Sequence, residues 1–288
     1  MTEKENSMTW KKWSHSDLEK QFNPRAAIGE GITAILAGME SASMERRVEL
    51  EGEFDIAYGD HPLMQYDCHV KSLDKLIIIN IHGGYFRAFD KSGMDSHVAD
   101  LLKSGFGVVN INYPLCPEVT LTSIVQTLSV GISHVMEHLE AQGFNQKVVL
   151  LGHSAGAHLG MHLSHELAIR KKLVGIVALS GVFELGFVQQ ISIQDDVHLS
   201  DEEVKNLDCL NFPPLLGPKY YISVGGDEPS AWIDQSWIMA NLLTKRGDDV
   251  TLHVSAGAHH FNLVDFLCDG NHLDGAVLKT WIDSLCDE

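Results

Sequence analysis

The chain has 288 residues, 44% hydrophobic and 21% charged, a folded globular composition that excludes disordered, collagen-like and coiled-coil proteins. Lys and Arg number 21 against 39 Asp and Glu, giving a formal net charge of −18. Such a chain repels phosphate backbones and anionic lipid surfaces, so neither nucleic acid nor a membrane is expected as a partner.

No apolar run approaches the ~18 residues of a membrane-spanning helix. Residues 1–13 are polar and carry no apolar stretch of the kind a secretory signal needs. The five cysteines (Cys68, Cys116, Cys209, Cys268 and Cys286) are scattered and form no C-x-x-C pair. That usage suits reduced thiols, and the expected location is cytoplasmic.

In chain order, residues 1–45 read as helical and partly irregular, with a turn at Asn23-Pro24. Two short strands are expected at 47–50 and 54–58, around a Glu51-Gly52 turn, as an antiparallel edge. Apolar runs then recur at 76–81, 108–112, 148–151, 174–179, 220–224 and 250–254. Stretches of helical period separate or follow them, at 92–104, 120–142, 155–169, 231–246 and 272–285. Strands this apolar, each followed by a helix, predict the α/β class: a mostly parallel sheet with helices on both faces. Segment 181–218 is acidic, weakly patterned and contains Pro213-Pro214. It reads as a cap or insertion over the sheet edge where such folds bind ligands. Neither repeat nor linker divides the chain, so a single domain over 1–288 is expected.

The run Gly152-His153-Ser154-Ala155-Gly156 is a G-x-S-x-G placed directly after an apolar run and before a helical stretch. In that context a sharp turn holds a serine hydroxyl proud of the sheet, and small neighbours relieve the crowding. Ser154 is the expected nucleophile. About 70 residues earlier, His82-Gly83-Gly84-Tyr85 closes another strand. Glycine lets backbone amides approach a developing oxyanion, so Gly84, Tyr85 and Ala155 are the expected donors, with Gly83 shaping the turn. A triad in this chain order needs an acid and then a histidine at the next two strand ends. Asp227-Glu228 and His259-His260 stand there, and spacing alone leaves both pairs open.

Sixteen histidines raise the question of a metal. His158 with His162, and His134 with His138, are four apart on helices, but no carboxylate is placed to complete either pair and no H-E-x-x-H occurs. Neither metal nor cofactor is expected.

Together, His82-Gly83-Gly84-Tyr85, the stretch from Gly152 through Ala157-His158-Leu159, and Leu179-Ser180-Gly181-Val182-Phe183-Glu184-Leu185 resemble the kynurenine formamidase (arylformamidase) family. Leu18-Glu19-Lys20-Gln21-Phe22-Asn23-Pro24-Arg25 is similar to its N-terminal segment, and the resemblance runs from about residue 18 to about 270. It implies the α/β-hydrolase fold and hydrolysis of N-formyl-L-kynurenine to L-kynurenine and formate. The family's acid precedes a Gln-Ser pair by seven residues, which selects Glu228, with Asp227 as runner-up because Asp is the more familiar residue there. Its histidine directly precedes a phenylalanine, which selects His260. Phe86 stands where the family often has tryptophan, and Tyr85 and Phe86 are expected to touch substrate; Trp10 and Trp232 are further aromatic candidates. The expected partner is a small-molecule substrate. A homodimer is allowed by the sequence but not argued by it. A carboxylesterase for small acyl or aryl esters would use the same triad.

Overall fold

The computed structural model describes residues 9–213, 215 and 217–286. The first eight residues of the polar N-terminal stretch, and Pro214 of the Pro213-Pro214 pair, lie outside them. Eight strands form one sheet in the order β1-β2-β4-β3-β5-β6-β7-β8. They are β1 (Glu53–Ala57), β2 (Gln65–His69), β3 (Ile77–Ile81), β4 (Gly107–Ile111), β5 (Val148–His153), β6 (Leu173–Leu179), β7 (Lys219–Gly225) and β8 (Val250–Ser255). From β4 to β8 all pairings are parallel; β2 runs antiparallel to both β1 and β4. This is the α/β-hydrolase arrangement.

The helices before β5 are α1 (His15–Phe22), α2 (Pro24–Ile28), α3 (Ile32–Arg47), α4 (Asp95–Lys103) and α5 (Leu121–Ala141). Those after it are α6 (Ala155–Leu163), α7 (Leu167–Arg170), α8 (Gln194–Val197), α9 (Asp201–Leu207), α10 (Ser230–Arg246), α11 (Leu263–Cys268) and α12 (Leu273–Ser284). Alternation along the strands sorts them into two layers. Ile77, Ile79 and Ile81 share a core with Leu128 of α5, Leu159 of α6 and Met239 of α10. Ile78, Val149 and Val177 share the opposite core with Val98 of α4, Leu263 of α11 and Leu278 of α12. Every residue of β3, β4 and β5 is buried, as strands covered on both faces require.

Two expectations need correction. Residues 47–50 form no strand: Arg47 ends α3, and the amides of Glu49 and Leu50 turn back onto the carbonyls of Arg46 and Arg47. The partner of β1 is instead β2, whose polar sequence hid it. Asp67 of β2 is fully buried and accepts from Lys91 Nζ at 2.7 Å and from the Asp55 amide at 2.7 Å. The helical stretch 155–169 is also broken, where Ser164 Oγ turns back to the Met161 carbonyl.

The N-terminal segment belongs to the body of the protein. Asn23 ends α1, and its side chain caps α2 by accepting from the amides of Arg25 and Ala26, with Pro24 at the first helical position. Phe22 is fully buried, its ring stacked 3.8 Å from Phe187 of segment 181–218. Trp10 Nε1 donates to Glu184 of the same segment at 2.7 Å. Glu203 in turn accepts from the Thr122 amide, tying that segment to α5. Truncating Phe22 removes the ring that joins the two segments: Phe22→Ala is expected to cost about 3–5 kcal/mol of stability, read by urea denaturation against wild type.

Candidate active site

Ser154 sits between the last residue of β5 and the first of α6, with φ 57° and ψ −118°. A non-glycine residue in that region is strained, and it is held there by its amide donating to the Leu179 carbonyl at 2.8 Å. The turn closes because Gly156 has no side chain: a Cβ there would lie 2.0 Å from the Ile81 carbonyl oxygen. Beside it, the loop after β3 is also strained. Gly84 has φ +106°, and Tyr85, Phe86 and Phe89 all have positive φ. Among the described residues, the amides of Gly84, Tyr85 and Ala155 donate to no acceptor within the protein. Gly84 and Tyr85 line one pocket with Ser154 and His260.

Both open pairs are separated by geometry. His260 Nε2 lies 3.1 Å from Ser154 Oγ, and His260 Nδ1 lies 2.8 Å from Glu228 Oε2. Asp227 is exposed, and its amide donates to the Ala258 carbonyl. His259 turns its Nδ1 back to accept from the amides of Phe261 and Asn262. His153 is buried below, where burial, and secondarily the nearby His260, hold its pKa well below the ordinary histidine value. A neutral His153 ring donates from Nε2 to the His260 carbonyl at 2.9 Å, fixing the loop that carries His260.

Sequence reasoning missed Ser180. Its hydroxyl lies 2.6 Å from each Glu228 oxygen and 3.0 Å from His260 Nδ1, and it is fully buried. The Gly225 amide adds a further bond to Glu228 at 2.9 Å. Ser180 was legible only as the serine of Leu179-Ser180-Gly181, just past a strand end, with φ +49°. Tyr85 stands in the pocket wall and donates its hydroxyl proton to the Phe22 carbonyl at 2.7 Å. Phe86 does not join it there: it is fully buried, edge-on to His158, so core packing decides its place. Trp232 lies behind His260 at 4.8 Å and donates to the Ser180 carbonyl, while Trp10 is committed to Glu184.

The two helical histidine pairs part company. His134 meets the Tyr66 hydroxyl and His138 meets Glu53. His158 and His162 approach Cys209, with ligand atoms within 4.8 Å of one another, so these three could hold an ion. Their present bonds speak for packing: His158 Nδ1 donates to the Val182 carbonyl and His162 Nε2 to the Leu207 carbonyl. Burial lowers both imidazole pKa values, that of His158 to about 4, and raises the Cys209 thiol well above its ordinary value.

Residues 66–173 match a family model described as BD-FAE. The chain is 24% identical to a kynurenine formamidase of Salmo salar over 94% of its length and 97% of that protein's. It is 23% identical to one of Danio rerio over 92% and 95%. A protein of Silicibacter sp. TM1040, solved as a candidate thioesterase, superposes with a TM-score of 0.78 at 24% identity, covering 90% of this chain and 98% of that one. An esterase of Pyrobaculum calidifontis superposes at 0.68 with 16% identity, over 94% and 96%. The chain thus resembles the kynurenine formamidases over nearly its whole length, and the similarities support a hydrolase of the α/β-hydrolase type. Among the described residues no helix is long and apolar enough to cross a membrane.

The strain at Ser154 can be measured. Ser154→Gly relieves about 1–3 kcal/mol of backbone strain against about 0.5–1 kcal/mol of added chain entropy in the unfolded state. A melting temperature above that of Ser154→Ala, by the equivalent of about 1 kcal/mol, is expected; equal or lower stability would show an unstrained turn.

Proposed function

We propose that this hydrolase cleaves N-formyl-L-kynurenine to L-kynurenine and formate, with Ser154 as nucleophile, His260 as base and acid, and Glu228 as the orienting carboxylate. The observation that carries the reading is the unbroken hydrogen-bonded line from Ser154 through His260 to a buried Glu228, opening on a pocket. The name borne by the Salmo salar and Danio rerio relatives supports the formamide as substrate.

In this scheme His260 Nε2 takes the Ser154 proton as Oγ attacks the formyl carbon. The amides of Gly84, Tyr85 and Ala155 receive the oxyanion, worth about 10²–10³ in rate for a donor of this kind. His260 then protonates the leaving aryl nitrogen, the C–N bond breaks, and L-kynurenine departs. Water, deprotonated by the same imidazole, attacks the formyl-serine; formate leaves and Ser154 regains its proton. Glu228 stabilises the imidazolium formed in each half, and Ser180 holds Glu228 in place. An arylamine leaves more readily than an alkylamine, so an esterase-like site suffices for this amide.

The test is kcat/KM on N-formyl-L-kynurenine beside p-nitrophenyl acetate. A value above about 10⁴ M⁻¹s⁻¹ on the formamide is expected. Ser154→Ala should lose it by on the order of 10⁴-fold or more. Fast ester turnover with negligible formamide turnover would keep the triad and replace the substrate with a small ester, the reading favoured by the esterase among the solved neighbours.

Ser180 is tested as a positioning residue. Ser180→Ala is expected to lower kcat about tenfold with KM unchanged, the effect of losing a charge-assisted hydrogen bond of about 1.5 kcal/mol. A kcat that falls while KM and the melting temperature hold would place the loss in the alignment of Glu228 and His260; a wild-type kcat would make Ser180 a packing residue only.

A further inference from the structure

Two cavities share a wall beside Ser154. The one lined by Ser154 and His260 measures about 50 Å³, against about 640 Å³ for the one beyond it. Phe89, Met39 and Met94 line both, so these three side chains are the partition. The partition stands close to the reacting groups. A Cβ on Gly83 would lie 3.2 Å from that of Ser154, and one on Gly84 would lie 2.9 Å from Cδ2 of the Phe89 ring. The ring therefore packs directly on the backbone whose amides face the proposed oxyanion. Phe89 is held there at φ +73°, a region where glycine is at ease and a bulky residue is an outlier. The residues after it are pinned: Asp90 accepts from Asn112 Nδ2 at 2.7 Å, and the buried Lys91 donates to Asp55 and Asp67 at 2.7 Å each. Met39 is the soft side of the wall. It is unbranched and half-buried, on a helix, α3, in which Ser43 is the one buried residue of sixteen.

The larger cavity lies on the acyl side of the scissile bond. His260 Nε2, 3.1 Å from Ser154 Oγ, protonates the leaving group, which must therefore sit towards His260. Among the described residues, none of the loop 255–262 lines the larger cavity, whereas His260 and Phe261 line the smaller. We infer that Phe89, backed by Met39, sets the length of acyl group that Ser154 accepts, by closing the small cavity off from the large one. The inference rests on the hydrolase reading of the same pocket and adds the residue that enforces its acyl selectivity. Glycine at position 89 would relieve the backbone and join the two cavities, so what phenylalanine contributes is the wall.

The test varies the acyl group at a fixed leaving group, using kcat/KM on p-nitrophenyl acetate, butyrate and hexanoate. Wild type should lose at least about 100-fold from acetate to hexanoate, since each added methylene meets the wall. Phe89→Gly should raise the hexanoate-to-acetate ratio at least about tenfold, and Met39→Ala should raise it about threefold or more. A ratio cancels any general loss from a disturbed Gly84 loop, and Met39→Ala decides the matter if Phe89→Gly does not fold. As a control, the ratio of 2-naphthyl acetate to phenyl acetate, which varies the leaving group alone, should stay within about twofold in both variants. Equal wild-type turnover of acetate and hexanoate, or an acyl ratio unchanged in the folded variants, would overturn the wall. A leaving-group ratio that moves in place of the acyl ratio would do the same. Those results leave the hydrolase reading standing; no Ser154-dependent turnover of any ester would bring down that reading and the wall with it.

Discussion

A carboxylate without solvent must be bonded on every side, and Glu228 meets that demand by drawing three strand ends to one point. Ser180 comes from the end of β6, the Gly225 amide from the end of β7, and His260 from the loop beyond β8. Burial of an unpaired charge costs several kcal/mol, so each of these groups is constrained by the same penalty. The parallel order β6-β7-β8 is what allows it, because neighbouring parallel strands deliver their carboxyl ends to the same edge. The line from Glu228 through His260 to Ser154 is therefore a consequence of satisfying one buried carboxylate.

Ser154 obeys a different constraint, close approach of backbone. Gly156 lets α6 begin against the Ile81 carbonyl, and Ser154 accepts an unfavourable φ in exchange for a hydroxyl that clears the sheet. The loop after β3, strained at Tyr85, Phe86 and Phe89, leaves amides free beside it. Strain at the two strand ends is thus supported by the fully buried β3 and β5 beneath them.

These constraints explain what could be read from the residues. The parallel strands were legible because burial on both faces leaves an apolar run, and Ser154 because its turn tolerates few residue types. β2 was not, because its buried Asp67 is neutralised by Lys91 from a distant loop, a pairing that local periodicity does not carry. Ser180 escaped for the same reason: its bonds to Glu228 span 48 residues. Adjacent candidates were the limit of spacing. Asp227 and Glu228 differ by one position, yet one is exposed and the other sealed, and only the turn at Gly225-Gly226 decides which.

The division of labour follows from where each part is held. Strand ends carry Ser154, Glu228 and His260, the groups proposed to react, and one sheet of this kind can serve different chemistries. What fits is decided by parts outside the sheet: the N-terminal segment supplies Asn23, Pro24 and Arg25 to the pocket, and segment 181–218 supplies Ile193. Those two segments are joined to each other by Phe22 on Phe187 and Trp10 on Glu184, and to the reacting loop by the Tyr85 hydroxyl on the Phe22 carbonyl. Both segments thus shape the pocket wall, while Glu228, His260 and Ser154 stand at the strand ends. An esterase can therefore superpose on this sheet, and what separates it from this chain is to be sought in the pocket wall that those two segments supply sooner than at the strand ends.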